Sequence, residues 1–119
     1  MNFMKESIKD LPNHDYDATL PTCWILEGLV MYLDRPEVLN MLTEMTSLSP
    51  KGSYIILNYT NHPFGSDNAG YLDYMDSLLR KNGWTNEEVL KFGDDGFNYG
   101  RFFLSKPTDL MGFALYSLK

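Results

Sequence analysis

The chain has 119 residues, 44% of them hydrophobic and 14% aromatic, which is enough for one modest folded domain. Its formal net charge of −6, with no cluster of Lys or Arg, argues against a nucleic-acid or anionic-membrane partner, because nothing offers such a partner an electrostatic footprint. No stretch approaches the ~18 apolar residues of a membrane span and no signal-peptide core opens the chain, so a soluble cytoplasmic protein is expected.

Residues 2–12 read as partly helical, ending at Leu11-Pro12, and residues 13–21 as a polar loop. From Thr22 to Leu26 the residues are continuously apolar rather than alternating, which predicts a strand covered on both faces. Cys23 lies in this run and is expected to be a small buried hydrophobe. Glu27 interrupts the run and Gly28 follows it. A carboxylate in such a setting is costly unless a partner satisfies it. At the carboxyl end of a strand in an open α/β sheet that partner is often a ligand.

A helix should follow, because Asp34 can cap it, Glu37 completes a capping box and Pro36 falls in the first turn. Val38, Met41, Leu42 and Met45 keep the spacing of one helical face, with Leu48 closing the stripe. Ser49-Pro50-Lys51-Gly52 turns the chain into a second apolar run, Tyr54-Ile55-Ile56-Leu57. Strand, helix and strand make a βαβ unit with parallel strands.

After a loop at residues 61–70, a second helix is expected to about Asn82, with Tyr71, Leu72, Met75, Leu78 and Leu79 on one side and Gly83 as its C′ residue. Residues 85–92 are ambiguous. Thr85 and Glu88 have the spacing of a capping box, which favours a helix, whereas Val89-Leu90 beside Phe92 could equally serve a short strand. Residues 93–100 form a glycine-rich loop, and residues 113–118 a terminal strand. His14, His62 and Cys23 have no metal-ligand spacing, so no metal site is expected.

Pro21-Thr22-Cys23-Trp24-Ile25-Leu26-Glu27-Gly28-Leu29-Val30-Met31-Tyr32-Leu33 resembles the PT-L-W-x-x-EGLLMYL signature of the leucine carboxyl methyltransferase family. These are class I S-adenosylmethionine-dependent O-methyltransferases. Tyr16-Asp17-Ala18-Thr19-Leu20-Pro21 resembles the approach to that signature. Ser49-Pro50-Lys51-Gly52-Ser53, Lys81-Asn82-Gly83-Trp84, Asn98-Tyr99-Gly100-Arg101 and the closing FALYSLK resemble later family segments, and because a strand follows the Gly-Trp pair in that family, the resemblance implies a strand at residues 85–92.

Only the family's C-terminal half is covered. The glycine-rich turn that cradles the cofactor has no counterpart, and Asn2-Phe3 stands where the family has an Asp-Leu pair. The resemblance thus implies a partial Rossmann-like α/β sheet, strands four to seven with flanking helices, in a chain that looks N-terminally truncated. One sheet edge would be exposed, which isolated proteins usually avoid and which could support an oligomer.

The resemblance implies S-adenosyl-L-methionine as cofactor and a small-molecule or protein C-terminal carboxylate as methyl acceptor. It implies that Glu27 contacts the cofactor, its carboxylate reaching the methionine ammonium, and that Gly28 lets the backbone pass nearby. Tyr32 falls on the acceptor side. Each has a plainer alternative: Glu27 bonded to a backbone amide, Gly28 a turn glycine, Tyr32 a core aromatic. His62 could face the acceptor or be an ordinary loop residue, and Arg101 could bind a carboxylate or lie on the surface. Two other readings stay open, a non-catalytic module binding a protein through the sheet edge and an unrelated small α/β ligand-binding domain.

Overall fold

The computed structural model describes residues 8–14, 16–61, 68–91 and 110–119. The sequence readings at Asn2-Phe3, His62 and residues 92–101 lie outside them. A 3-10 helix at Ile8–His14 leads to β1 (Cys23–Leu26), a 3-10 turn at Val30–Tyr32, α1 (Arg35–Ser47) and β2 (Tyr54–Thr60). Then follow α2 (Leu72–Lys81), β3 (Trp84–Lys91) and β4 (Met111–Leu118). The ambiguous stretch is therefore a strand. The sheet order is β1-β2-β4-β3, with β1 and β2 parallel and β4 antiparallel to both of its neighbours.

The start of α1 follows from three residues. Asp34 Oδ1 accepts from Glu37 N at 2.8 Å, Glu37 Oε1 accepts from Asp34 N at 3.1 Å, and Pro36 occupies the first turn. Val38, Met41, Leu42 and Met45 are buried along one face, as their spacing predicts. α2 buries Met75, Leu78 and Leu79 and ends at Gly83, whose φ of +91° suits a glycine C′.

Both helices stand on the same side of the sheet. That side carries Trp24 and Leu26 of β1, Ile55, Leu57 and Tyr59 of β2, Ala114 and Tyr116 of β4, and Trp84 of β3. Side-chain bonds fasten the layers: Trp24 Nε1 donates to Ser49 Oγ at 2.8 Å and Trp84 Nε1 to Thr46 Oγ1 at 2.9 Å. Tyr116 Oη donates to Asp76 Oδ1 at 2.7 Å.

The expectation that β1 is covered on both faces is overturned. Cys23 is exposed, as is Ile25 at 65%, because neither α1 nor α2 reaches their side of the sheet. Cys23 is accordingly no core hydrophobe.

A bulge in β3 between Asn86 and Glu88 decides which residues enter the core. Strict alternation from the buried Trp84 would aim Glu88 inward. The extra residue turns Glu88 outward opposite Leu115, and Val89 packs on the core opposite Ala114.

Two predictions follow from this packing. A methyl group on Gly112 would collide with the Leu90 carbonyl oxygen and stand 2.7 Å from the Tyr59 hydroxyl. A ladder carbonyl cannot rotate away, so Gly112→Ala should destabilise the fold by about 3 kcal/mol in urea titration, the upper part of the range for overpacking. An unchanged midpoint would mean that β3 and β4 are paired differently.

The second concerns pH. Burial first, then the bond to Asp76 and its charge, hold the Tyr116 phenol well above its ordinary value. The folded state therefore keeps a proton that the unfolded chain releases near pH ~10. Stability from this source is complete below that pH and falls as pH rises beyond it. Denaturation titrations from about pH 8 to 11 should show this decline. Tyr116→Phe should flatten it while losing about 1.5–3 kcal/mol near neutrality, the range for a hydrogen bond to a charged group.

Candidate functional site

The parallel pairing aligns Leu26 with Leu57, so β1 and β2 run toward the same edge of the sheet. β1 stops there, while β2 continues through Asn58, Tyr59 and Thr60. Glu27 and Gly28 make the turn off the end of β1, and Val30 and Met31 then bury themselves against the structure. Gly70 packs directly behind this turn, since a Cβ there would lie 2.9 Å from Met31 Cα. Thr60 N donates to Gly70 O at 3.1 Å and Leu72 N to Asn61 Oδ1 at 3.0 Å. The segment after β2 is thereby tied to the turn after β1, and the end of the parallel pair becomes a bounded site.

Glu27 is exposed, which overturns the premise that a carboxylate in this run must be buried and in need of a partner. The chain leaves the sheet at Leu26, one residue before the charge, so no desolvation has to be offset. No hydrogen bond or ion pair engages Glu27 among the described residues, so the alternative of a Glu tied to a neighbouring amide is not what the structure holds.

Gly28 has φ of +62° and nothing within 4 Å of where a Cβ would stand. The demand visible here is conformational, because only a residue tolerant of the left-handed region makes this turn without strain. Tyr32 is 67% exposed at the end of the Val30–Tyr32 turn, so it is no core aromatic. Glu27, Gly28 and Tyr32 therefore share the loop after β1. His62 and Arg101 lie outside the described residues, and no group of three metal-ligating side chains occurs among those described. No helix of the described residues is long and apolar enough to cross a membrane.

Sequence reasoning missed the staples that hold this loop from below. Tyr16 Oη shares a hydrogen bond of 2.6 Å with Thr22 Oγ1 and donates to Leu48 O at 3.0 Å. Asp17 Oδ1 accepts from Thr19 N and Thr19 Oγ1, which also holds the Asp17 carboxyl below its usual range. Ser53, fully buried, accepts from Thr22 N at 3.0 Å and so joins the start of β1 to the start of β2. The only signal of Tyr16, Asp17, Thr19, Thr22 and Ser53 in the sequence was membership of segments that resemble the family. Gly70 gave none, because its role depends on Met31, far away in sequence.

A four-stranded mixed sheet in this order, with an exposed carboxylate turn at the end of its parallel pair, has the Rossmann-like fold of class I S-adenosylmethionine-dependent methyltransferases. Magnesium protoporphyrin IX methyltransferase from Synechocystis, crystallised with bound S-adenosylmethionine, superposes with a TM-score of 0.54 at 13% identity, over 86% of this chain and 42% of that one. An O-methyltransferase family 2 protein from Planctomyces limnophilus gives 0.55 at 11% identity, over 82% and 31%.

The narrower resemblance is supported over the first part of the chain. Residues 1–46 match the family model of leucine carboxyl methyltransferase. A Mycolicibacterium smegmatis protein, described as an S-adenosyl-L-methionine-dependent methyltransferase, is 34% identical over 55 residues, which are 46% of this chain and 18% of that protein. The chain thus matches well under half the length of each of these relatives.

The geometry of Gly28 yields a direct test. Gly28→Ala should lower stability by about 1–2 kcal/mol through left-handed strain alone, since no atom crowds the new methyl. Gly28→Asn should lose less, because asparagine visits that region more readily. Equal losses in urea titration would show that the turn is not left-handed.

Proposed function

We propose that this chain supplies the methionine side of the cofactor site in an S-adenosylmethionine-dependent O-methyltransferase whose acceptor is a carboxylate or another oxygen. The observation that carries the reading is Glu27: an exposed carboxylate, unengaged among the described residues, at the shared end of two parallel strands. An ionised carboxylate is acceptor-only, so it suits the amino acid ammonium of the cofactor. The left-handed turn at Gly28 leaves open space beside it. The residues present thus fit one end of S-adenosylmethionine.

The cofactor, when bound, supplies a methyl group on a positively charged sulfur that is its own leaving group. The chain's contribution is to hold and orient. Alignment of reacting groups is worth up to ~7–11 kcal/mol at the extreme. A carboxylate acceptor is already ionised near pH 7, so the site needs no general base. Glu27 anchors the cofactor, Gly28 shapes the turn, and Tyr32, projecting from the same loop, lies toward the acceptor. The name of the matching family and an O-methyltransferase among the similar folds both support an oxygen acceptor. A small molecule or a protein C-terminus could present it.

Titration of S-adenosylhomocysteine into the chain by calorimetry tests the reading. We expect saturable 1:1 binding, weakened about tenfold or more by Glu27→Gln, in line with loss of a charge-assisted bond. Binding that Glu27→Gln leaves unchanged, or heat equal to dilution, would remove Glu27 from the cofactor site.

A further inference from the structure

α1 and α2 meet at their first turns, and one pair of residues joins them there. The Arg35 guanidinium carbon lies 4.5 Å from the centroid of the Tyr74 ring, and Tyr74 Oη donates to Arg35 O at 3.3 Å. Tyr74 thus holds both the side chain and the main chain of Arg35. A guanidinium laid on a ring face keeps its planar edge of N–H donors, so the fork is oriented before any anion arrives. Arg35 itself is exposed.

This clamp stands at the edge of the sheet that carries Glu27. α1 begins where the chain comes off the end of β1, and the first residue of α2 is tied to the end of β2 through Asn61. By contrast, Lys51 precedes β2, Lys81 ends α2 and Lys119 follows β4, which places these cations at the opposite edge. Glu27 and Arg35 therefore bracket one loop with opposite charges, and the exposed Tyr32 lies between them in sequence. Screening confines each charge to its own neighbourhood, so the net charge of −6 does not prevent Arg35 from holding an anion.

We propose that Arg35 binds a carboxylate of the methyl acceptor that is not itself methylated, which makes the acceptor a small dicarboxylic acid. The inference rests on the methyltransferase reading of this loop. Its direction follows from where charge changes. The reacting oxygen takes the methyl group as the carbon–sulfur electron pair returns to sulfur, so an ionised carboxylate becomes a neutral ester and no proton moves. A cation gripping that carboxylate would hold the starting state more tightly than the transition state and slow the reaction. A second carboxylate keeps its charge throughout, so Arg35 binds it without that loss. Arg35 is then a binding residue and Tyr74 a positioning one.

Glutarate serves as the probe, read by the Nε–H resonance of Arg35 in the isotope-labelled chain with S-adenosylhomocysteine present. Saturable shifts are expected with glutarate and with its monomethyl ester, which keeps one carboxylate, and none with the dimethyl ester. Arg35→Gln should weaken glutarate binding in calorimetry about tenfold or more, as loss of a charge-assisted pair requires. Tyr74→Leu should also weaken it, and Tyr74→Phe should recover most of that loss because the ring is kept. Lys81→Gln, the same charge change at the opposite edge, should alter it by less than about twofold. Equal weakening by Arg35→Gln and Lys81→Gln, or no response of Arg35 while S-adenosylhomocysteine binds, would overturn this proposal alone. Absence of S-adenosylhomocysteine binding would overturn the reading beneath it as well.

Discussion

Four residues of parallel pairing, Cys23–Leu26 against Tyr54–Leu57, govern the rest of the structure. A parallel pair cannot be joined by a hairpin, so the chain must leave β1, cross a face of the sheet and return. α1 makes that crossing, and its cap and apolar stripe are what allow the return. Both strands are then compelled to end on one side. β2 runs three residues past its partner, an overhang of about 10 Å at the usual rise per residue. The Val30–Tyr32 turn packs against β2, with Gly70 behind the turn at Met31. The exposed loop bearing Glu27 is thus held by buried neighbours on both sides.

Most of this architecture was legible because its signals are local. The Asp34/Glu37 capping box and the spacing of Val38, Met41, Leu42 and Met45 depend on residues within a few turns of one another. The runs at Cys23–Leu26 and Tyr54–Leu57 announced strands by themselves. What covers a strand is not local. The residues CWIL have the same pattern whether a second layer exists or not, and so Cys23 and Ile25 were misjudged. The bulge in β3 was hidden for a related reason: WTNEEVLK has no clean alternation, and only pairing with β4 shows why Val89 rather than Glu88 packs inward.

The candidate site was located for a reason that the structure then altered. An acid within an apolar run drew attention to Glu27 on the premise of a buried charge. The chain instead turns off the sheet one residue earlier, leaving Glu27 in water. The surrounding motif residues divide by physical task. Tyr16, Asp17, Thr19 and Ser53 bond the base of β1 into place, and Val30 and Met31 anchor the loop. Glu27, Gly28 and Tyr32 are left outside the core, where folding makes no demand on Glu27.

Exposure also sets the strength of the hold that Glu27 has on a cation. A carboxylate in water attracts an ammonium 4 Å away by only about 1 kcal/mol, and by about 4 kcal/mol where surrounding protein lowers the effective dielectric to ~20. Glu27 follows β1 directly, and the outer edge of β1 pairs with no strand among the described residues. Whatever excludes water from this turn therefore strengthens the carboxylate's attraction for an ammonium about fourfold, without any change at Glu27 itself.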